Sequence, residues 1–209
     1  MKEIVVISGK GGTGKTSVVA SFAALAQPSV LADCDVDAAD LHLLLSPDVR
    51  EEHEFSGGKR ATVVAEKCTA CGICRDVCRF GAIEQATPRD DRSPAPYVID
   101  PVACEGCGVC AWFCPEKAIV LEDAVNGTWF VSDTRCGPMV HAKLGIAEEN
   151  SGKLVTLVRN EAKKIAESDG HACLLVDGSP GIGCPVIASI AGADLVVVVT
   201  EPTLSGEHD

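Results

Sequence analysis

The sequence predicts an α/β fold, a mostly parallel sheet flanked by helices, interrupted by a small inserted α+β domain. Three observations lead there. A glycine-rich loop near the N-terminus joins a strand-like apolar run to a helix-like one. Two later apolar runs end in acidic residues, where open parallel sheets meet their ligands. Between them the composition turns abruptly into two four-cysteine runs of one spacing, after which the α/β pattern resumes. One pattern split around a cysteine block indicates an insertion, not domains in tandem. The expected division is 1–60, 61–123 and 124–209, the outer two forming one domain.

Residues 2–7 contain Ile4-Val5-Val6-Ile7, an apolar run of buried-strand length. Gly9-Lys10-Gly11-Gly12-Thr13-Gly14-Lys15-Thr16 follows, and residues 17–27 read as a helix. Strand, loop and helix form the context in which G-x-x-x-x-G-K-[ST] marks a phosphate site. The glycines let backbone N–H groups approach phosphate oxygens, and the helix N-terminus adds partial positive charge. Lys15 is expected to neutralise β/γ-phosphate charge, and the Thr16 hydroxyl to hold Mg²⁺.

A second strand, 29–32, runs into Asp33-Cys34-Asp35-Val36-Asp37. In an extended segment these three carboxylates face one side. Asp35 is the candidate for orienting an attacking water, and another of the three for ordering Mg²⁺ waters. Residues 40–45 read as a short helix, and 51–62 as a charged joint at Gly57-Gly58. Beyond residue 123, 128–132 and 195–199 read as strands, and 153–168 and 185–191 as helices. Residues 172–176 form a buried strand ending at Asp177, which opens Asp177-Gly178-Ser179-Pro180-Gly181. That is the place of a Walker-B-type aspartate on Mg²⁺. Gly181 and Gly183 give this segment freedom to respond to a γ-phosphate.

The cysteine block reads Cys68-x₂-Cys71-x₂-Cys74-x₃-Cys78, then Cys104-x₂-Cys107-x₂-Cys110-x₃-Cys114, an internal repeat offset by 36 residues. Eight thiols at metal-ligand spacing in a reducing compartment mean metal, not disulfides. The spacing is that of two-cluster bacterial ferredoxins, in which the fourth cysteine of each run serves the other cluster. Cys68, Cys71, Cys74 and Cys114 are thus expected to hold one [4Fe–4S] cluster, and Cys104, Cys107, Cys110 and Cys78 the other, the fourth cysteine starting a helix that crosses over. Zinc is the alternative metal, but its sites favour paired C-x₂-C knuckles. Clusters with a purely structural role are the alternative to redox-active ones. Cys114 is followed by Pro115, as the ferredoxin pattern prescribes, whereas Cys78 is followed by Arg79. Gly72, Gly106 and Gly108 suit backbone wrapped tightly around sulfide. Residues 87–96 read as a polar surface loop. Cys34, Cys136, Cys173 and Cys184 stand alone and read as ordinary thiols, and the five histidines form no ligand-spaced pair.

Composition narrows the partners. A net charge of −12 over 209 residues opposes a nucleic-acid or acidic-membrane surface as main partner. No apolar run reaches the roughly 18 residues of a membrane span, and strand residues begin at Ile4 with no signal sequence before them. A cytoplasmic protein is expected.

With these residues in place, the chain resembles a MinD/ParA-type ATPase, the SIMIBI branch of P-loop proteins with a deviant Walker A motif. The resemblance rests on Lys10 to Thr16, Asp33-Cys34-Asp35, Asp177 to Gly181, and Thr200-Glu201-Pro202. More closely it resembles a subgroup carrying an inserted two-cluster ferredoxin module. Gly137-Pro138-Met139-Val140-His141-Ala142-Lys143-Leu144-Gly145 and Glu148-Glu149-Asn150-Ser151-Gly152-Lys153-Leu154-Val155 are typical of that subgroup. The resemblance implies ATP and Mg²⁺ as cofactors beside two [4Fe–4S] clusters. It implies an ATP-dependent homodimer, or a heterodimer with a related ATPase, in which Lys10 reaches the partner's nucleotide. Ser17 keeps a hydroxyl for the α-phosphate, and Pro202 matches the adenine border. Relatives run further, so the resemblance implies a C-terminally truncated chain. The function implied is a slowly hydrolysing ATP switch coupled to the clusters, in electron transfer or in iron–sulfur or cofactor assembly, with a redox or apo-protein client. The competing reading is a non-catalytic ferredoxin or cluster carrier that uses nucleotide as a docking signal.

Overall fold

The structure, a computed structural model, describes residues 1–87, 95–145 and 152–203. The chain divides into two units, Met1–Phe55 with Gly127–Asp209, and Ser56–Asn126. In chain order it forms β1 (Lys2–Ser8), α1 (Lys15–Leu25), β2 (Val30–Asp33), α2 (Leu41–Leu45) and β3 (Asp48–Val63). After a 3₁₀ turn come α3 (Ile73–Asp76), β4 (Ile83–Gln85), β5 (Tyr97–Ile99) and α4 (Val109–Phe113). Then follow β6 (Ile119–Thr134), β7 (Gly137–Leu144), α5 (Gly152–Ser168), β8 (Cys173–Asp177), α6 (Cys184–Ile190) and β9 (Leu195–Val199).

The main sheet has the order β3-β6-β7-β2-β8-β1-β9. Neighbours from β7 to β9 are parallel, and β6 is antiparallel to β7, so the sheet is mostly parallel. Strand residues alternate between two faces, and both are covered. Val5, Val30, Leu174 and Val176 pack against Leu154, Val155, Val158 and Ala162 of α5, with α6 beside them. Val6, Leu31, Met139 and Leu175 pack against Val19 and Ala23 of α1 and Leu41 and Leu45 of α2. The buried positions of α5 recur at i, i+4 and i+8 from Leu154, which makes it amphipathic. Register decides where the chemistry sits. Val6 and Asp33 both pair with Asp177, so two acidic strand ends lie side by side just below the loop that follows Ser8.

The second unit holds the antiparallel pair β4–β5 with α3 and α4. Its core joins Ala61, Ile83, Tyr97 and Ile119 to Cys74 and Cys110. The repeat seen in the sequence is also a repeat in backbone geometry. Residues with positive φ recur at the 36-residue offset: Ala70 at 56° with Gly106 at 61°, Gly72 at 83° with Gly108 at 78°, and Gly81 at 65° with Lys117 at 48°. These left-handed corners fold each cysteine run back on itself. Gly106 is also required by space, because a Cβ there would lie 1.8 Å from the Lys59 carbonyl oxygen.

Several local expectations need correction. Residues 51–62 are not a joint but lie inside β3, a 16-residue strand whose pattern was hidden because most of its residues are exposed. Residues 128–132 are part of the longer β6, and β7 was not foreseen as a strand. The fourth cysteine of each run does not start a helix. Cys74 and Cys110 lie inside α3 and α4, while Cys78 and Cys114 follow their ends. Most of the loop expected at 87–96, and Glu148 to Ser151 of the subgroup motif, lie outside the described residues.

Candidate nucleotide and cluster sites

The loop after β1 owes its path to two glycines, Gly12 (φ 84°) and Gly14 (φ 88°), the second standing at the N-cap of α1. Its neighbours are pinned from both sides. Ser8 Oγ donates to the Lys10 carbonyl (2.8 Å), and the Gly181 N–H donates to the Ser8 carbonyl (3.0 Å). The Gly178 N–H donates to the Val6 carbonyl (2.8 Å), and a Cβ at 178 would come within 2.9 Å of that oxygen, so only glycine fits. Ser179 Oγ donates to the Cys34 carbonyl (2.6 Å), and the Cys34 N–H to the Asp177 carbonyl (2.8 Å). These bonds join the loop after β8 to the segment after β2.

Lys15 is the centre of the resulting site. Its Nζ donates to Asp177 Oδ1 at 2.5 Å and lies 3.2 Å from Asp35 Oδ2, with all three side chains buried. Burial works against the Lys15 charge, but Asp177 and then Asp35 more than offset it, holding its pKa above the ordinary lysine value. The Thr16 hydroxyl hydrogen-bonds to Asp177. Asp33 lies beneath, fully buried, with its pKa well above the carboxylate range because of burial and then the charge of Asp177. Its two oxygens accept the Asp35 and Leu41 N–H groups, each at 3.2 Å, so Asp33 shapes the turn that aims Asp35.

Three buried carboxylates thus face one buried lysine. Among the described residues, the buried side-chain polar atoms without a hydrogen-bond partner are Thr13 Oγ1, Asp35 Oδ1, Asp177 Oδ2 and Ser29 Oγ. Three of these four belong to this site. Unmatched negative charge and unpartnered oxygens beside a phosphate loop fit a divalent cation, its waters and a polyphosphate.

The other residues expected at the site are placed less centrally. Asp37 does not face the same side as its two neighbours, because the chain turns at Val36 and leaves it exposed. Lys10 Nζ lies 3.6 Å from Glu201, a pairing the sequence did not suggest. Ser17 and Pro202 are exposed. Cys34 and Cys136 are buried, Cys173 is half-buried and Cys184 exposed. The contacts of Ser179 and Glu201 had no sequence signal beyond their place within the motifs, whereas Asp33 was already one of the three carboxylates that the sequence singles out.

In the second unit the eight repeat cysteines divide between two cavities. Cys68, Cys71, Cys74 and Cys114 line one, and Cys78, Cys104, Cys107 and Cys110 line the other. The lining is itself repeated: Val63, Ile73 and Ile119 in the first cavity stand where Ile99, Val109 and Ile83 stand in the second. Burial raises the Cys74 thiol's pKa, and Cys68, Cys71 and Cys114 add to it against the Arg75 N–H. The Ala118 N–H donates to Cys114 Sγ at 3.3 Å. A lone zinc ion draws its thiolates to about 2.3 Å. Among the described residues no three His, Cys, Asp or Glu converge closely enough for a single metal ion. Four thiols spaced around an apolar cavity fit a polynuclear cluster instead.

Residues 67–118 match the family model of the 4Fe-4S dicluster domain. The uncharacterized protein MJ0578 of Methanocaldococcus jannaschii is 34% identical over 99% of this chain and 70% of its own length. The chain belongs to the family of MJ0578. A second protein of that organism, the uncharacterized MJ0579, is 26% identical over 100% of this chain and 72% of its own. The septum site-determining protein MinD of Pyrococcus horikoshii, solved with Mg-ADP, aligns over 98% of this chain and 60% of its own with a TM-score of 0.40 at 14% identity. In this member of the MJ0578 family the dicluster match interrupts, along the sequence, the unit that carries the mostly parallel sheet and the glycine-rich loop after β1, as an inserted ferredoxin-type domain. No helix among the described residues is long and apolar enough to cross a membrane.

Proposed function

We propose that the chain is an ATP-binding and ATP-hydrolysing dimeric switch coupled to two [4Fe–4S] clusters, acting in electron transfer or in iron–sulfur or cofactor assembly. The observation that carries the nucleotide half is the set of unpartnered oxygens on Thr13, Asp35 and Asp177 around Lys15. Lys15 exchanges a carboxylate for the β/γ-phosphates. Thr16 and Asp177, hydrogen-bonded to one another, would hold Mg²⁺ directly or through water. Gly11, Gly12, Thr13 and Gly14 present backbone N–H groups to the phosphates, Ser17 adds a hydroxyl for the α-phosphate, and Pro202 borders the adenine. Asp35 orients the attacking water with its unpartnered Oδ1. Hydrolysis follows from in-line positioning and charge neutralisation, with little covalent chemistry for the protein to perform.

Lys10 lies at the same loop, against Glu201 of its own chain. In an ATP-dependent dimer, with a second copy or a related ATPase, it would leave Glu201 for the partner's phosphates. Two sets of four thiols, Cys68, Cys71, Cys74 and Cys114, and Cys104, Cys107, Cys110 and Cys78, would each ligate one cluster, and such clusters supply one-electron chemistry when bound.

The test is ATP turnover and nucleotide affinity of the anaerobically purified protein beside Asp35→Asn. The expected result is a fall in kcat of about 10²-fold or more with little change in affinity. Unchanged turnover in the variant would remove Asp35 from the reaction.

A further inference from the structure

The two cysteine runs are built on one repeat, yet one helix of the second unit carries a surface that its counterpart lacks. In α4, Val109, Trp112 and Phe113 are 39%, 86% and 54% exposed, while Cys110 is the buried residue of the helix. Spaced i, i+3 and i+4, the three side chains share one face, and that face is wholly apolar. At the 36-residue offset the same positions in and after α3 are Ile73, Asp76 and Val77. There the centre of the face is an acid, to which Arg75 donates from Nε and Nη2 at 3.1 and 2.9 Å while lying over the Tyr97 ring. One backbone scaffold thus carries an ionic centre in one copy and a tryptophan in the other. Neither the fold nor the cysteines therefore demand an exposed Trp112. A tryptophan so far in water adds almost nothing to the core, and exposed apolar surface of that size marks a binding face.

Place, size and charge say what covers this face. Trp112 stands two residues after Cys110 of one thiol set and two before Cys114 of the other. Its backbone is thus within about 7 Å of chain of a thiol on each cavity. The apolar area of the face is roughly 400 Å², about half of the ~800 Å² per partner that a standard stable interface buries. That is too little for a permanent dimer of this chain, and it suits the brief encounters in which redox proteins exchange an electron. Asp100, Glu105 and Glu116 are exposed in the segment that holds α4, and no lysine or arginine occurs between Arg92 and Lys117. The whole chain carries −12. Such a surface draws in a cationic partner and repels an acidic one.

We propose that the apolar face of α4, centred on Trp112, is the docking surface for a one-electron partner protein whose apolar contact patch is rimmed by lysine and arginine. This rests on the cluster reading given under Proposed function. In each encounter one electron leaves a reduced cluster, whose core goes from 1+ to 2+, and reduces the partner's one-electron centre. No bond is made or broken and no proton moves. An external donor, dithionite in the test, returns the electron to the cluster. Trp112 anchors the partner and the carboxylates steer it. Loss of the ring therefore shortens the encounter, and loss of the carboxylates slows its formation.

Cytochrome c, a basic one-electron acceptor, serves as the probe. Its affinity for the oxidised, anaerobically purified protein is measured by titration calorimetry, and its reduction by the dithionite-reduced protein by stopped flow. Hexaammineruthenium(III), a cationic acceptor too small to need a docking face, is the comparison. Trp112→Ala is expected to lower both the affinity and the second-order rate with cytochrome c by about tenfold or more. It should leave the rate with the ruthenium complex and the iron content in place. The double variant Glu105→Gln, Glu116→Gln should slow cytochrome c reduction several-fold and flatten its fall with salt. Equal cytochrome c rates for Trp112→Ala and the natural protein, or an equal loss with both acceptors, would overturn the proposal. So would a dimer of the natural protein that Trp112→Ala splits in sedimentation, because the face would then belong to a second copy. Should Trp112→Ala lose iron, the double variant decides, and an unchanged rate and salt dependence contradicts the docking surface. Absence of iron and sulfide from the natural protein would instead defeat the cluster reading, and calorimetric binding of cytochrome c with and without Trp112 would then test the face by itself.

Discussion

Lys15 shows how one residue sets the state of a whole site. Among the described residues, its ammonium is the lone buried cation against Asp33, Asp35 and Asp177. The pairs it makes are buried, so removing it would leave carboxylates uncompensated at a cost of several kcal/mol. A second residue-scale case lies apart from the chemistry. His141 on β7 is buried, shares a 3.0 Å hydrogen bond with Ser132, and stacks with Phe130 and with His42. Burial, and then the charge of His42, lower its pKa from 6.5 to about 4. Its folded pKa lies below its unfolded one, so the unfolded chain takes up the proton first. The contribution is therefore complete above pH 6.5 and is lost as pH falls toward 4, by at most about 3 kcal/mol. Melting temperature measured from pH 7 to pH 4 should fall more steeply for the natural protein than for His141→Asn. Equal slopes would mean that His141 titrates normally.

At the scale of elements, the cysteine loops are held by their left-handed corners. Ala70 and Gly106 occupy equivalent corners with nearly the same φ, but only Gly106 abuts another backbone, the Lys59 carbonyl. Gly106→Ala is expected to destabilise the protein by about 2 kcal/mol or more, through strain and overpacking together. Ala70→Gly removes a left-handed alanine, and is expected to be neutral or stabilising by up to about 1 kcal/mol. Thermal melts with iron retention as a second readout test the pair, and equal effects would contradict the role given to Lys59. Elements also mark where the sequence could be read and where it could not. Strands β1, β8 and β9 are short, apolar runs, and their length and composition suffice. β3 escaped because Glu51 to Glu54 and Lys59-Arg60 carry charge on exposed positions, and exposure erases the alternation that reveals a strand. β7 escaped because its Gly137-Pro138 start looks like a turn.

Over the whole molecule, the two chemistries were legible because both are local in sequence. The phosphate loop is eight consecutive residues, and each cysteine run spans eleven. What brings distant pieces together was not legible. That Asp33 pairs in register with Asp177, that Glu201 meets Lys10, and that Tyr97 lies on Arg75 depend on strand order and packing. The shared cavities of Cys114 with the first run and Cys78 with the second were readable only through the ferredoxin spacing. What joins the two chemistries is the proposed coupling of ATP hydrolysis to iron–sulfur chemistry in one chain. Its most direct test is anaerobic purification with iron and sulfide analysis, followed by ATP turnover of the oxidised and the dithionite-reduced protein. Such coupling predicts iron and sulfide at the level of two [4Fe–4S] clusters and a turnover rate that changes with reduction. Zinc in place of iron, or one rate in both states, would contradict it.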